Sequence, residues 1–74
     1  MLMIPATVVD PDLLRLARLK RRYRQRDIAT RLRVAPQRIS DFEQGLRHPS
    51  PEQISVLVEA LGAEIFADNK EVGR

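Results

Sequence analysis

QRDIATRLRVAPQRISDFEQG, running from Gln25 to Gly45, is the stretch on which the fold turns. Its first part, QRDIATRL, sets Ile28, Ala29 and Leu32 on one stripe, the spacing of an amphipathic helix. Asp27 falls in the first turn of that helix, where a negative side chain suits the partial positive charge of the N-terminus. Arg24 occupies the N-cap position, for which Ser, Thr, Asp or Asn is preferred. The helix stops near Leu32, and Arg33, Val34 and Ala35 make a corner. Pro36 then opens a second helix, PQRISDFEQ, at a first position where its missing N–H does no harm. Ile39 and Phe42 point inward, while Gln37, Arg38, Asp41 and Gln44 fall on the opposite side. Gly45 ends the helix as its C′ residue. Two stubby helices therefore meet abruptly, and their outer sides carry Arg, Gln and Asp.

Upstream, PDLLRLARLKRRY reads as another amphipathic helix, with Leu13, Leu14, Leu16, Ala17 and Leu19 apolar and Arg15 and Arg22 on the other side. Asp10 is placed to cap it and Pro11 takes its first position. Residues 1–10, with Pro5 and the β-favouring ATVVD, read as an extended arm or short strand. Downstream of the loop LRHPS, Ser50, Pro51 and Gln53 spell the start of a further helix: an N-cap, a first-position proline and an S-x-x-Q capping box. Ile54, Leu57, Val58 and Leu61 form its stripe, and Gly62 terminates it. The tail AEIFADNKEVGR holds one apolar patch, Ile65-Phe66, readable as a short strand or a final helical turn; residues 69–74 read as frayed.

A chain of 74 residues implies one domain. A domain of that size buries only about 60% of its unfolded surface, which leaves little room for an enclosed active site beside a core. There is no cysteine and a single histidine, His48, so no metal site and no metal or other cofactor is expected. Ser40 and Ser50 have no adjacent base, and glycine-rich phosphate loops are missing. No catalytic residue is assigned, and the chain reads as a non-enzyme. MLMIPATVV lacks the basic start and length of a signal peptide, and no apolar run approaches the roughly 20 residues of a membrane span. The expectation is a cytoplasmic protein with no membrane partner. Net charge is +3, but eleven of the Lys and Arg residues lie between Arg15 and Arg47 against three acids, a local excess of +8 between acidic flanks. A basic block on a small domain suggests a polyanion, nucleic acid first; a solvated helix face is the plainer account.

The corner at 33–35 describes a helix-turn-helix. Residues 13–62 resemble the Cro/lambda-repressor-like (Xre) family of DNA-binding domains. The resemblance rests on Arg18, Gln25, the Ile28-Ala29 pair, Val34, Ile39, Glu43, Gly45, Pro49-Ser50 and Ala60-Leu61-Gly62, all in step without a gap. It implies an all-α, compact four- to five-helix lambda-repressor-like domain over residues 11–62. Residues 1–10 are then an N-terminal arm and residues 63–74 a tail available for dimerisation, either with short extended or β segments. It implies that Ala29 is small because one helix crosses close over the other, and that Arg18 pairs with Glu43 as a structural ion pair. Such a pair costs about 3–5 kcal/mol to break from one side if fully buried. Three positions depart from the family pattern: Arg33 stands where glycine is usual, and Arg24 and Ala35 where hydroxyls are favoured before the two helices. A left-handed Arg33 would cost roughly 1 kcal/mol relative to glycine.

On this resemblance helix 36–44 enters the major groove. Gln37, Arg38 and Asp41 are the expected base readers: Arg suits guanine, Gln adenine, and Asp a cytosine amino group unless it merely orients Arg38. Pro36 offers only apolar contact. Arg24, Gln25, Arg26, Gln44 and Arg47 are the expected phosphate contacts, which position without specifying sequence. His48 reads as a surface loop residue and Tyr23 as packing at the end of its helix. The expected protein is a dimeric repressor on a palindromic double-stranded DNA operator, encoded by a bacterium, archaeon or phage. An antitoxin that autoregulates its operon and binds a toxin protein stays open. So do an interaction module that has lost DNA binding, and RNA as the ligand.

Overall fold

The structure, a computed structural model, describes residues 8–67. Four α-helices follow one another, α1 (Pro11–Lys20), α2 (Gln25–Leu32), α3 (Pro36–Gln44) and α4 (Pro51–Leu61), and a single 3-10 turn, Ala63–Ile65, follows α4. The fold is all-α, and the β structure among the described residues is one antiparallel bridge between Val9 and Phe66. Residues 1–7 of the extended arm expected over residues 1–10, and the fraying expected over 69–74, lie outside the described residues.

Each helix start has a local cause. The Asp10 carboxylate accepts from the N–H groups of Asp12 (2.9 Å) and Leu13 (3.1 Å). At α4, Ser50 and Gln53 exchange side-chain and backbone bonds: Ser50 N–H donates to Gln53 Oε1 at 2.9 Å, and Gln53 N–H donates to Ser50 Oγ at 3.2 Å. α2 has no hydroxyl cap, but Asp27 Oδ2 accepts the Arg24 N–H at 2.7 Å. That is the half of a capping box that a carboxylate supplies; an arginine side chain, a pure donor, cannot return the other half. α3 starts on Ala35 and Pro36 with no side-chain cap.

The first three helices stop in the same way. A left-handed residue (Arg22, φ 60°; Arg33, φ 59°; Gly45, φ 77°) lets the next N–H reach back to a carbonyl five residues earlier. Tyr23 donates to Arg18 O, Val34 to Ala29 O and Leu46 to Asp41 O, at 3.1, 3.0 and 2.9 Å. Only Gly45 is free of the Cβ penalty. Tyr23 and Val34, the residues just past the two strained arginines, pack against the core. That apolar contact is the usual companion of the motif and offsets the strain.

Val9, Leu14, Ala17, Ile28, Ala29, Ile39, Phe42, Leu57, Leu61 and Ile65 form the core. Ala29 is 1% exposed; a larger side chain there would overpack the core. The leucines of α1 do not all go inward: Leu14 and Ala17 are buried, whereas Leu16 is 54% and Leu19 47% exposed. At 3.6 residues per turn, Leu14, Ala17 and Arg18 occupy one side of the helix, and Leu16 and Leu19 swing well away from it.

Over the described residues 63–67 the tail is a 3-10 turn followed by an extended bridge residue. After the 3-10 turn, Phe66 faces Val9, flanked by Asp10 N–H to Ile65 O (2.9 Å) and Ala67 N–H to Val8 O (3.1 Å). Val9 sends its own N–H the other way, to His48 Nε2 at 3.1 Å. His48 Nδ1 lies 3.0 Å from Pro49 O, so the ring carries its proton on Nδ1 and accepts at Nε2. Glu64 holds the 3-10 turn against the end of α1, 2.6 Å from Arg21 Nη1 and 3.4 Å from Lys20 Nζ. The Arg21 hydrogen bond, with Lys20 assisting, keeps the Glu64 carboxyl below its ordinary value of 4.5 despite some desolvation.

Candidate nucleic-acid interface

α3 is fixed by what it buries. Ile39 and Phe42 enter the core, and Glu43 at its end is 9% exposed. Arg18 of α1 grips Glu43 in a forked pair, Nε to Oε2 at 2.7 Å and Nη2 to Oε1 at 3.1 Å, and its Nη1 donates to Tyr23 O at 3.0 Å. Gln25, the first residue of α2, donates from Nε2 to Glu43 Oε1 at 3.1 Å. One carboxylate thus ties α1, the start of α2 and the end of α3 together. Among the described residues no buried side-chain nitrogen or oxygen lacks a partner. A satisfied network of this kind holds one geometry, which is what a helix presenting side chains to a ligand needs.

The outer face of α3 is polar and internally paired. Gln37 Nε2 donates to Asp41 Oδ1 at 3.1 Å, and Gln44 Nε2 to Ser40 Oγ at 2.9 Å. Gln37, Ser40, Asp41 and Gln44 follow the i, i+3, i+4, i+7 spacing of a single face. Ser40 was not singled out from the sequence, although this polar repeat was there to find it. Arg38 is one residue, about 100°, round the helix from Gln37 and is half-buried. Asp41 does not orient Arg38: besides Gln37 it meets Arg47, whose Nε lies 3.4 Å from Asp41 Oδ2. Pro36 is exposed at the start of the helix.

Of the remaining basic residues, Arg24 and Arg26 are exposed beside the half-buried Gln25, at the N-terminus of α2. Gln25 spends one amide hydrogen on Glu43, and its amide has a second hydrogen and a carbonyl oxygen besides. Arg31 is engaged with Tyr23, its guanidinium 5.2 Å from the ring centroid and its Nη2 3.3 Å from the hydroxyl oxygen. The structure thus brings Gln37 and Asp41 onto one face with Gln44, places Gln25 and its arginine neighbours at the start of α2, and leaves Arg38 on a flank. Among the described residues no His, Asp and Glu cluster is arranged to hold a metal, and no helix is long and apolar enough to cross a membrane.

Comparison with curated proteins gives no match. A family model described as helix-turn-helix matches residues 14–66, from the first core leucine of α1 to the bridge residue Phe66. With α2 and α3 meeting at the left-handed Arg33 and α3 carrying its polar face outward, the chain belongs to the Xre-like helix-turn-helix family of DNA-binding regulators.

Proposed function

We propose that the protein is a sequence-specific transcriptional regulator, a dimeric repressor acting in the cytoplasm with no catalytic activity, that reads the major groove with α3. The observation that carries this reading is the outer face of α3. Gln37 and Asp41 stand there side by side, held to each other and not to the core, on a helix whose inner end is fixed by the Arg18–Glu43 pair. Gln37 and Asp41 are the central base readers, with Arg38 reaching in from the flank. Arg24, Gln25 and Arg26, at the N-terminus of α2, hold phosphate on one side and Gln44 does so on the other. Arg47 stands apart from these because Asp41 already holds it. The DNA-binding unit, expected over residues 11–62, takes in Val9 and residues 63–66 in this reading, since Val9 and Ile65 are buried in its core and Val9 is bridged to Phe66; the rest of the segments at 1–10 and 63–74 joins two copies on a palindromic operator.

A protein partner is the second reading. It is supported by the exposed Leu16 and Leu19 on α1, which the described residues leave uncovered. An antitoxin would use such a surface against a toxin, and a toxin gene adjacent to this one would identify that subclass. A pure interaction module fits less well, since it has no use for the basic residues around α2.

Selection of preferred sites from random duplex DNA, followed by titration at several ionic strengths, tests the proposal. Several phosphate contacts require log K to fall linearly with log salt, by about 0.9 per phosphate neutralised. A flat salt response, or no enriched sequence, rejects it.

A further inference from the structure

The reading helix and the loop that follows it share one acceptor. Asp41 takes Gln37 Nε2 on Oδ1 at 3.1 Å and faces Arg47 Nε across 3.4 Å with Oδ2. The Asp41 side chain is 19% exposed and that of Arg47 is 56%. The carboxylate is therefore the seated member of the pair, and the guanidinium lies over it from the loop. We infer that Asp41 selects a cytosine, and that Arg47 is the positioning residue that makes this selection possible rather than an independent phosphate contact. The inference rests on the DNA-binding reading above.

The chemistry follows from what each base edge offers. A carboxylate only accepts. Guanine presents two acceptors in the major groove and thymine an acceptor and a methyl group, so both repel it or leave it unpaired. Adenine offers an amino group next to the acceptor N7, whereas cytosine offers its amino group alone. Cytosine is thus the one base whose edge suits Asp41 without an adverse neighbour. Gln37, after donating one hydrogen to Asp41, retains an N–H and a carbonyl oxygen, the pair that adenine N6 and N7 require. The obstacle is charge. A bare carboxylate carried into a groove walled by phosphates is repelled whatever the sequence. Arg47 on Oδ2 offsets that charge and leaves the remaining lone pairs of the carboxylate to the base.

A phosphate contact and a positioning residue give different double-mutant cycles. The full-length chain, Asp41→Asn, Arg47→Ala, Arg47→Lys and the Asp41→Asn/Arg47→Ala double variant are titrated by fluorescence anisotropy. The probes are the selected duplex and its three single-base variants at the position most sensitive to Asp41→Asn. Arg47 is exposed and Asp41 half-buried, and circular dichroism reports that each variant is folded. The expected discrimination by the unaltered protein is about 5- to 150-fold, the range of a good base contact. Asp41→Asn relaxes it, since an amide both donates and accepts. Arg47→Ala relaxes it at the same position and weakens binding, but in the Asp41→Asn background the same change costs less than about twofold. Arg47→Lys, which keeps the charge, restores most of the discrimination. Equal weakening of all four duplexes by Arg47→Ala, by the same factor with and without Asp41, makes Arg47 a phosphate contact and overturns the inference. A preferred base other than cytosine at the Asp41-sensitive position overturns its first half. Discrimination unaffected by Asp41→Asn at every position overturns it while leaving the DNA reading intact. Failure of the unaltered protein to bind DNA in a salt-dependent way removes both.

Discussion

Replacing Arg18 by methionine tests how far α3 depends on a charge that never reaches the ligand. The change keeps most of the apolar stem of the side chain and removes the guanidinium. Three hydrogen bonds go with it, two to Glu43 and one to Tyr23 O. Among the described residues, Glu43, 9% exposed, is then left with the Gln25 amide as its remaining side-chain partner. Breaking a buried pair from one side costs about 3–5 kcal/mol. A chain of 74 residues has a total stability of roughly 4–11 kcal/mol at the usual 0.05–0.15 kcal/mol per residue. The variant should therefore lose a large part of its stability. At about 4–8 °C per kcal/mol for a domain of this size, its melting temperature falls by at least about 12 °C. Thermal and urea unfolding followed by circular dichroism measure it, with operator affinity read at a temperature where the variant is still folded. Removing the second charge as well, in Arg18→Met/Glu43→Leu, should return much of the loss, because desolvation then no longer opposes folding. A melting temperature within a degree or two of the unaltered protein would show that the pair is solvated and that α3 is held by Ile39 and Phe42 alone.

Arg22→Gly and Arg33→Gly should each raise stability by about 0.5–1 kcal/mol, since relief of the left-handed strain exceeds the added chain entropy of glycine; a lowered melting temperature at either site would mean that the arginine stem contributes more than its backbone costs. Glu64 gives an acid dependence. Its carboxyl is held below its usual value in the folded state, so its contribution is fully present above about pH 4.5 and is lost as pH falls through the folded value. Stability of Glu64→Gln and of the unaltered protein should therefore converge in acid, and a gap of the same size at pH 3 and pH 7 would contradict this. Removing residues 1–7 and 68–74 keeps the Val9–Phe66 bridge and should give a folded monomer with weaker operator binding; light scattering that still reports a dimer would put the interface on the helices. Cutting instead at residue 63 removes Ile65, which is 0% exposed, and should unfold the chain.

The helices were legible because their ends are written in local chemistry. Asp10-Pro11, Pro36, Ser50-Pro51-x-Gln53 and Gly45 each act within a few residues of themselves, and the structure starts or stops a helix at every one. What depends on distant partners was not legible. Five apolar positions in α1 allow more than one inward face, and only the packing of α3, α4 and the 3-10 turn selects Leu14 and Ala17 over Leu16 and Leu19. The tail stayed ambiguous because its extended part exists through bonds to Val8 and Asp10, far away in sequence. At the interface, helical period was enough to group Gln37, Asp41 and Gln44. The same period, at about 100° per residue, sets Arg38 off their common face, although the sequence reading grouped it with them; it could not reveal that the carboxylate of Asp41 is shared with Arg47 across a loop. The left-handed corner at Arg33 was foreseeable from the family pattern; the second one, at Arg22, has no sequence signal beyond the helix end itself.

The hydrogen bond between Ala67 N–H and Val8 O, 3.1 Å long, makes the described part of the chain begin and end at one point in space. Such a unit behaves as a cassette. Set into a longer polypeptide, it would interrupt its host by about the width of a strand pair, some 5 Å, with little disturbance on either side. The same closeness makes it a candidate for circular permutation, with new ends opened in the loop after Gly45 and the old ones joined by a short linker. For two copies meeting on DNA it has a further consequence: Val8 and Ala67 lie side by side, so one patch of surface holds both ends of the described chain.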